Sequence, residues 1–134
     1  MTTHRTLLPA GWPRPKGYAN GIAARGRFVF TGGVVGWNEA EAFVADTLAG
    51  QFRQLLANTL AILAEGGAGP EHVVRMTWYV TSIADYRASL AEIGAAWREL
   101  MGRNYPAMAV VEVATLVEPA ARIEIETTAV VPEL

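Results

Sequence analysis

The side chains able to do chemistry in this 134-residue chain are few. There is no cysteine, which excludes thiol and disulfide chemistry. His4 and His72 are the only histidines, and without cysteine to help them no zinc or iron site is expected. Glu124 and Glu126 alternate in "RIEIETTAVV" and share one side of a regular strand. Read alone, Glu124 is an exposed or ion-paired strand residue. Met108 and Val110 share a face in "NYPAMAVVEVATL", where Tyr105-Pro106 sets the entry of a strand. Gly32-Gly33 follows "RFVFT", and glycines there permit a bulge or a close backbone approach to a ligand. The formal charge is −2 with no Lys/Arg cluster, whereas a nucleic-acid binder shows a basic stripe. No nucleic-acid partner is expected.

These residues need elements to hold them. The length suits one domain over 1–134 with a real hydrophobic core. Pro9, Gly11, Pro13, Pro15 and Gly17 make the first segment a loop after a short strand near Thr6–Leu8. Gly26 reads as a turn between short strands Gly21–Arg25 and Arg27–Gly32. Leu48, Phe52, Leu55, Thr59, Ile62 and Leu63 recur at helical spacing, with Asp46 as N-cap and Gly66-Gly67 and Pro70 as the stop. "HVVRMTWYVTS" is a β-branched, aromatic strand, and His72 is expected to be exposed at its start. A second helix spans about Ile83 to Met101 on the stripe Tyr86, Leu90, Ile93, Trp97 and Leu100. Strands Ala107–Thr115 and Arg122–Val131 finish the chain, with "LVEPA" as the turn between them. Trp78 and Trp97 are expected in core or interface packing. Gln51, Gln54 and Asn58 share one helix, where hydrogen bonding to backbone or interface groups is their expected task.

The order β-β-β-α-β-α-β-β predicts an α+β domain with both helices on one face of a mixed sheet. Met76/Trp78/Val80 and Arg75/Thr77/Tyr79 are both partly apolar sets, so the second sheet face also needs cover. Hydrophobic residues make up 51% of the chain, a little above the usual share. A symmetric oligomer is the natural way to bury that surplus. No apolar run is long enough to span a membrane, and "MTTHRTLLPAGW" lacks the features of a signal peptide. With no cysteine, a cytoplasmic location and no membrane partner are expected.

Several stretches together resemble the RidA/YjgF family, the reactive-intermediate deaminases. Lys16-Gly17-Tyr18 is similar to the family's Gly-Pro-Tyr, with the tyrosine kept, and Phe30-Thr31-Gly32-Gly33 to its hydrophobic-Ser-Gly-Gln. Gln51, Gln54, Leu56 and Asn58 follow its first-helix pattern, and "VVRMTWYV" its next strand. Pro106, Ala107, Glu112, Val113, Leu116, Ile123, Glu124, Ile125 and Glu126 follow its C-terminal block. The likeness covers nearly the whole chain in order. It implies a chorismate-mutase-like fold and a homotrimeric barrel with helices outside. It implies a small-molecule ligand in a cleft at each subunit interface. It also implies hydrolysis of enamines or imines to a keto compound and ammonia without a metal or organic cofactor.

That chemistry needs a carboxylate anchor, a positioned water and backbone or hydroxyl donors. The family's anchoring arginine follows Pro-Ala; here the residue is Met108. Its signature serine is Gly32, and the polar or thiol residue two beyond the arginine is Val110. The resemblance leaves Glu124 as the water-activating group and Tyr18 beside it. Ala107, Met108 and Val110 form an apolar wall, Gly33 offers backbone contact, and Trp37 lies in the loop after the glycines, where a rim is expected. Arg14 or Lys16 could replace the missing charge. The implied activity is deamination of a less acidic, more apolar or aromatic substrate. A non-catalytic binding trimer is the alternative. A ribonuclease or translation inhibitor, a label the family sometimes carries, is disfavoured by the acidic charge and scarce histidines.

Overall fold

In the computed structural model, residues 4–133 are described. Residues 1–3 and 134, the ends of the expected domain and the start of the segment read for a signal peptide, lie outside them. The elements in order are β1 (Arg5–Thr6), β2 (Ile22–Ala23), β3 (Arg27–Phe30), β4 (Val34–Val35), α1 (Leu48–Glu65), β5 (Val73–Val80), α2 (Ile83–Ala88), α3 (Leu90–Met101), β6 (Ala107–Glu112) and β7 (Ile123–Val131).

The main sheet runs β3–β7–β5–β6, with β4 also on β7. β3, β4 and β5 are antiparallel to β7, while β5 and β6 are parallel. The sheet is therefore mixed, as expected. The β5–β6 pair needs a crossover, which α2 and α3 supply. β4 and β5 both run against β7, so α1 joins two strands of the same direction. All the helices cover one face. Phe52, Leu55, Leu56 and Leu63 of α1 and Ile93 and Trp97 of α3 form one cluster with Met76, Trp78, Val80, Ile123 and Ile125. The period-2 pleat puts the intervening residues on the opposite face. There Phe28 and Phe30 are 57% and 66% exposed, beside Arg75, Thr77, Tyr79, Glu124 and Glu126.

Several expectations are corrected. Gly26 does not turn a hairpin: β2 pairs with β1, and β3 with β7. At φ +149°, Gly26 instead lies against the Val131 carbonyl, where any side chain would collide. The first strand is Arg5–Thr6 rather than Thr6–Leu8, and the second is only Ile22–Ala23. β3 stops at Phe30 because the register then skips: Phe30 faces Thr128 and Val34 faces Ile125. One extra residue is thus looped out over Thr31–Gly33, a bulge closed by Thr31 N–H donating to the Thr127 carbonyl at 2.9 Å.

Thr47, not Asp46, caps α1; its Oγ1 accepts from Gly50 N–H at 3.1 Å. The Asp46 carbonyl accepts from Arg122 Nε instead. The second helix breaks at Ser89, whose hydroxyl donates to the Asp85 carbonyl at 2.7 Å and competes with the helical ladder. β6 ends at Glu112 rather than Thr115 because its only lengthwise partner, β5, ends at Val80. β7 starts at Ile123, one residue later than expected. His72 is half-buried, in a 3-10 turn, and its Nδ1 accepts from Gly69 N–H at 2.9 Å.

The polar residues of α1 hold backbone, as expected. Gln51 is buried, donates to the Ala45 and Ala120 carbonyls at 3.1 and 2.9 Å, and accepts from Arg122 N–H at 2.7 Å. Gln54 donates to Asn58, and Asn58 donates to the carbonyls of Val35 and Trp37.

Candidate functional site

A cavity of about 400 Å³ opens between the α2–α3 pair and the β6 side of the sheet. Its floor is Trp78 of β5 with Met108 and Val110 of β6. The register Met76↔Met108 and Trp78↔Val110 puts these side chains on the helix face. Tyr86 of α2 and Leu90, Ile93, Gly94 and Trp97 of α3 make the wall, and Tyr105 closes one end. The break at Ser89 falls between Tyr86 and Leu90, so the wall is built by two helices meeting at a bend. Lys16, Gly17, Tyr18 and Arg98 form the rim.

The rim is fixed by backbone. Ala19 N–H donates to the Pro106 carbonyl at 3.0 Å, and Ala19 bridges to Ala107 in parallel. Tyr18, the residue before, is thereby held beside the head of β6 and is 44% exposed.

The floor and wall are an aromatic ladder. Phe52 stacks on Trp78 at 4.9 Å, Trp78 on Trp97 at 6.2 Å, and Trp97 on Tyr105 at 6.0 Å. Tyr86 meets Trp78 edge-on at 6.2 Å. Burial pushes the Tyr86 hydroxyl pKa above its ordinary value. The indole Nε1 atoms of Trp78 and Trp97 are buried without a hydrogen-bond partner, although such groups usually find one. The ladder is thus held by area and ring contact rather than by polar anchoring.

The residues singled out from the sequence fall into separate groups. Tyr18, Met108 and Val110 line the cavity, and Lys16 joins them. Ala107 is on the opposite side of β6, in register with Arg75. Glu124 pairs with Tyr79 across β5 and β7 and lies on the open sheet face. Gly33 is beside it: a Cβ at Gly33 would collide with the Glu124 carboxylate. The bulge therefore makes room for that carboxylate. On the same face Tyr79 donates to Glu126 Oε1 at 2.6 Å. This hydrogen bond, then desolvation and the Glu126 charge, raises the Tyr79 pKa, against a lowering by Arg75. Trp37 packs against Phe43 with ring centroids 5.7 Å apart and does not line the cavity of its own chain. Arg14 lines an adjoining cavity, together with Arg103, on the other side of Tyr18 and Tyr105.

Sequence reasoning passed over Arg98. The signal was present: Tyr86, Leu90, Gly94 and Arg98 follow one another at intervals of four, along the edge of the apolar stripe. Among the described residues no group of three or more His, Asp or Glu could hold a metal ion. No helix among them is long and apolar enough to cross a membrane.

A mixed sheet with helices on one face and a cleft at the head of its parallel edge strand defines a small α+β protein with a preformed ligand-sized cavity. The sequence model of the family described as Endoribonuclease L-PSP matches residues 13–131. A RutC family protein of Synechocystis is 33% identical over 133 residues, covering 97% of this chain and 98% of that protein. Another, from Haemophilus influenzae, is 34% identical over 105 residues, covering 78% of this chain and 80% of that one. Among solved structures, a Rid family protein of unknown function from Yersinia pestis superposes with a TM-score of 0.83 at 31% identity, covering 96% and 98% of the two chains. The YjgF gene product of E. coli does so with a TM-score of 0.69 at 31% identity, covering 94% and 98%. The chain belongs to the RidA/YjgF family.

Proposed function

We propose that this protein is a hydrolytic deaminase of enamine or imine compounds, acting on molecules that are apolar or aromatic where they meet Met108 and Val110. The observation that carries this reading is the cavity itself. Tyr18, Met108 and Val110, three positions that the family motifs single out, line one ligand-sized space with an aromatic floor. Methionine cannot pair with a carboxylate, and loss of a bidentate guanidinium contact costs about 1.5–3 kcal/mol for an acidic substrate. An apolar group fits the same place without that penalty. Glu124 and Gly33 face away from the cavity of their own chain. In a homotrimer, Glu124 and Gly33 of one copy would complete the cavity of the next, with the carboxylate managing the protons of the attacking water. No metal or organic cofactor is part of this reading, and its setting is the cytoplasm.

The second reading is a trimer that binds a small molecule without turning it over. One observation favours it: among the described residues of a single chain, no carboxylate lines the cavity. The nuclease named in the family description is not adopted, because the formal charge is −2 and the chain has only two histidines for acid–base cleavage.

Ammonia release separates the two readings. Wild type and Met108→Arg are assayed on freshly generated 2-aminoacrylate and on a panel of larger, less acidic imines. Wild type is expected to turn over a larger imine and leave 2-aminoacrylate untouched, with Met108→Arg gaining activity on the acidic substrate. Glu124→Gln should lose turnover while keeping its fold. Silence of both proteins on every compound makes the binding trimer the correct reading.

A further inference from the structure

The cavity has aromatic walls, yet its charged residues all have one sign. Lys16 and Arg98 are on its rim, and no Asp or Glu among the described residues lines it. The adjoining cavity beyond Tyr18 and Tyr105 adds Arg14 and Arg103, again without a carboxylate. This concentration of positive charge stands in a chain whose formal charge is −2. The ion pairs found among the described residues, Arg53–Glu99 and Arg122–Asp85, involve none of the four. Their side chains make no hydrogen bond to another described residue either. The Arg98 guanidinium lies back along its own helix: Nη1 is 3.3 Å from where a Cβ on Gly94 would stand. The bare glycine leaves it room against the cavity wall, while the residue as a whole stays exposed to water.

We infer that Arg98, with Lys16 across the opening, is the anion anchor of this site, and that the ligand is an amphiphile. Its aromatic or aliphatic body lies on Trp78, Trp97 and Met108, and a carboxylate at its far end is read at the rim. This rests on the cavity reading above and deepens it. Charge recognition has moved from the strand floor to the helix and the N-terminal loop. The anionic group therefore sits away from the atoms that meet Met108, not next to them. Arg98 suits the role because its planar fork can meet a carboxylate with two parallel hydrogen bonds, with Lys16 as a second point charge. Because the rim is exposed, salt should weaken the charge-dependent part of binding and leave the apolar part alone.

The test is calorimetry on the full-length protein in its own assembly state, with 4-phenylbutyrate and its neutral amide as probes. Wild type is expected to prefer the carboxylate by about tenfold, the scale of one charge-assisted hydrogen bond. Arg98→Gln should abolish that preference while holding amide affinity within about twofold, and Lys16→Gln should reduce it. Arg87→Gln makes the same charge change on an exposed α2 residue outside both cavities, and it should keep the preference. Equal affinity of wild type for the two probes, or equal effects of the Arg98 and Arg87 substitutions, overturns the anchor assignment and leaves the cavity reading standing. Failure of both probes to bind overturns the anchor and, with it, the cavity as a site for such a body.

Discussion

Met108 shows how the sheet fixes where one side chain points. Its Cα position is set by parallel pairing with Met76, and its side chain by the pleat, so any residue there faces the cavity. Trp97 offers a second test at this scale. Its indole is 4% exposed and its N–H has no partner, so the ring contributes area while the donor is unpaired. Trp97→Phe keeps most of the area and removes the orphan, so its cost should stay within about 1.5 kcal/mol by chemical denaturation. Trp97→Ala opens a cavity and should cost about 3–5 kcal/mol. Tyr79 sets a pH dependence. Its phenol pKa is raised above 10.0 in the folded chain, chiefly by donating to Glu126. Its contribution is complete below that pH. Above it the unfolded chain loses the phenolic proton first, so stability falls as pH rises through the folded pKa. Thermal melts between pH 9 and 11.5 should show a fall for wild type that is shallower in Tyr79→Phe.

At the scale of elements, α1 anchors the least regular part of the chain. The segment between β6 and β7 is tied at its ends by Val113 N–H donating to the Val80 carbonyl and Thr81 N–H donating to the Arg122 carbonyl, and the Gln51 amide holds it by the Ala120 carbonyl and the Arg122 N–H. Gln51→Ala removes the partner of these part-buried groups, and each lost hydrogen bond costs about 0.5–1.5 kcal/mol. A loss of about 2 kcal/mol is expected, and hydrogen exchange should speed first at Arg122. The α2–α3 break shapes the cavity wall. The bend at Ser89 lies between Tyr86 and Leu90, which belong to different helices yet share the cavity wall.

For the whole molecule, the exposed sheet face is the surface most in need of cover. Phe28 and Phe30 stand out of it with rings 5.8 Å apart, opposite Val130 and Thr128 of β7. Exposed aromatic surface of this kind marks a contact site. Light scattering at micromolar concentration should give the mass of three chains, and Phe28→Asp with Phe30→Asp should lower it. A wild-type monomer would remove the shared-cleft arrangement, and with it the route that brings Glu124 to a cavity.

The sequence by itself determined the period of each element and so most of the fold. Leu48, Phe52, Leu55 and Leu63 could bury only as a helix, and Met76, Trp78 and Val80 only as a strand face. The motifs around Tyr18, Gly33 and Pro106 placed the chain in its family. Local pattern could not say which strands pair, because hydrogen-bond partners far apart in sequence leave no periodic trace. Hence Gly26 read as a hairpin turn, although it serves close contact with Val131, and β6 read three residues too long. The site was legible in part for the same reason. Strand alternation put Met108 with Val110, and Glu124 with Glu126, but not one pair relative to the other. Only the packed sheet decided that they lie on opposite faces. Arg98 likewise joined the site only when α3 was laid against β6, because a cavity belongs to the surfaces that meet and not to either segment alone.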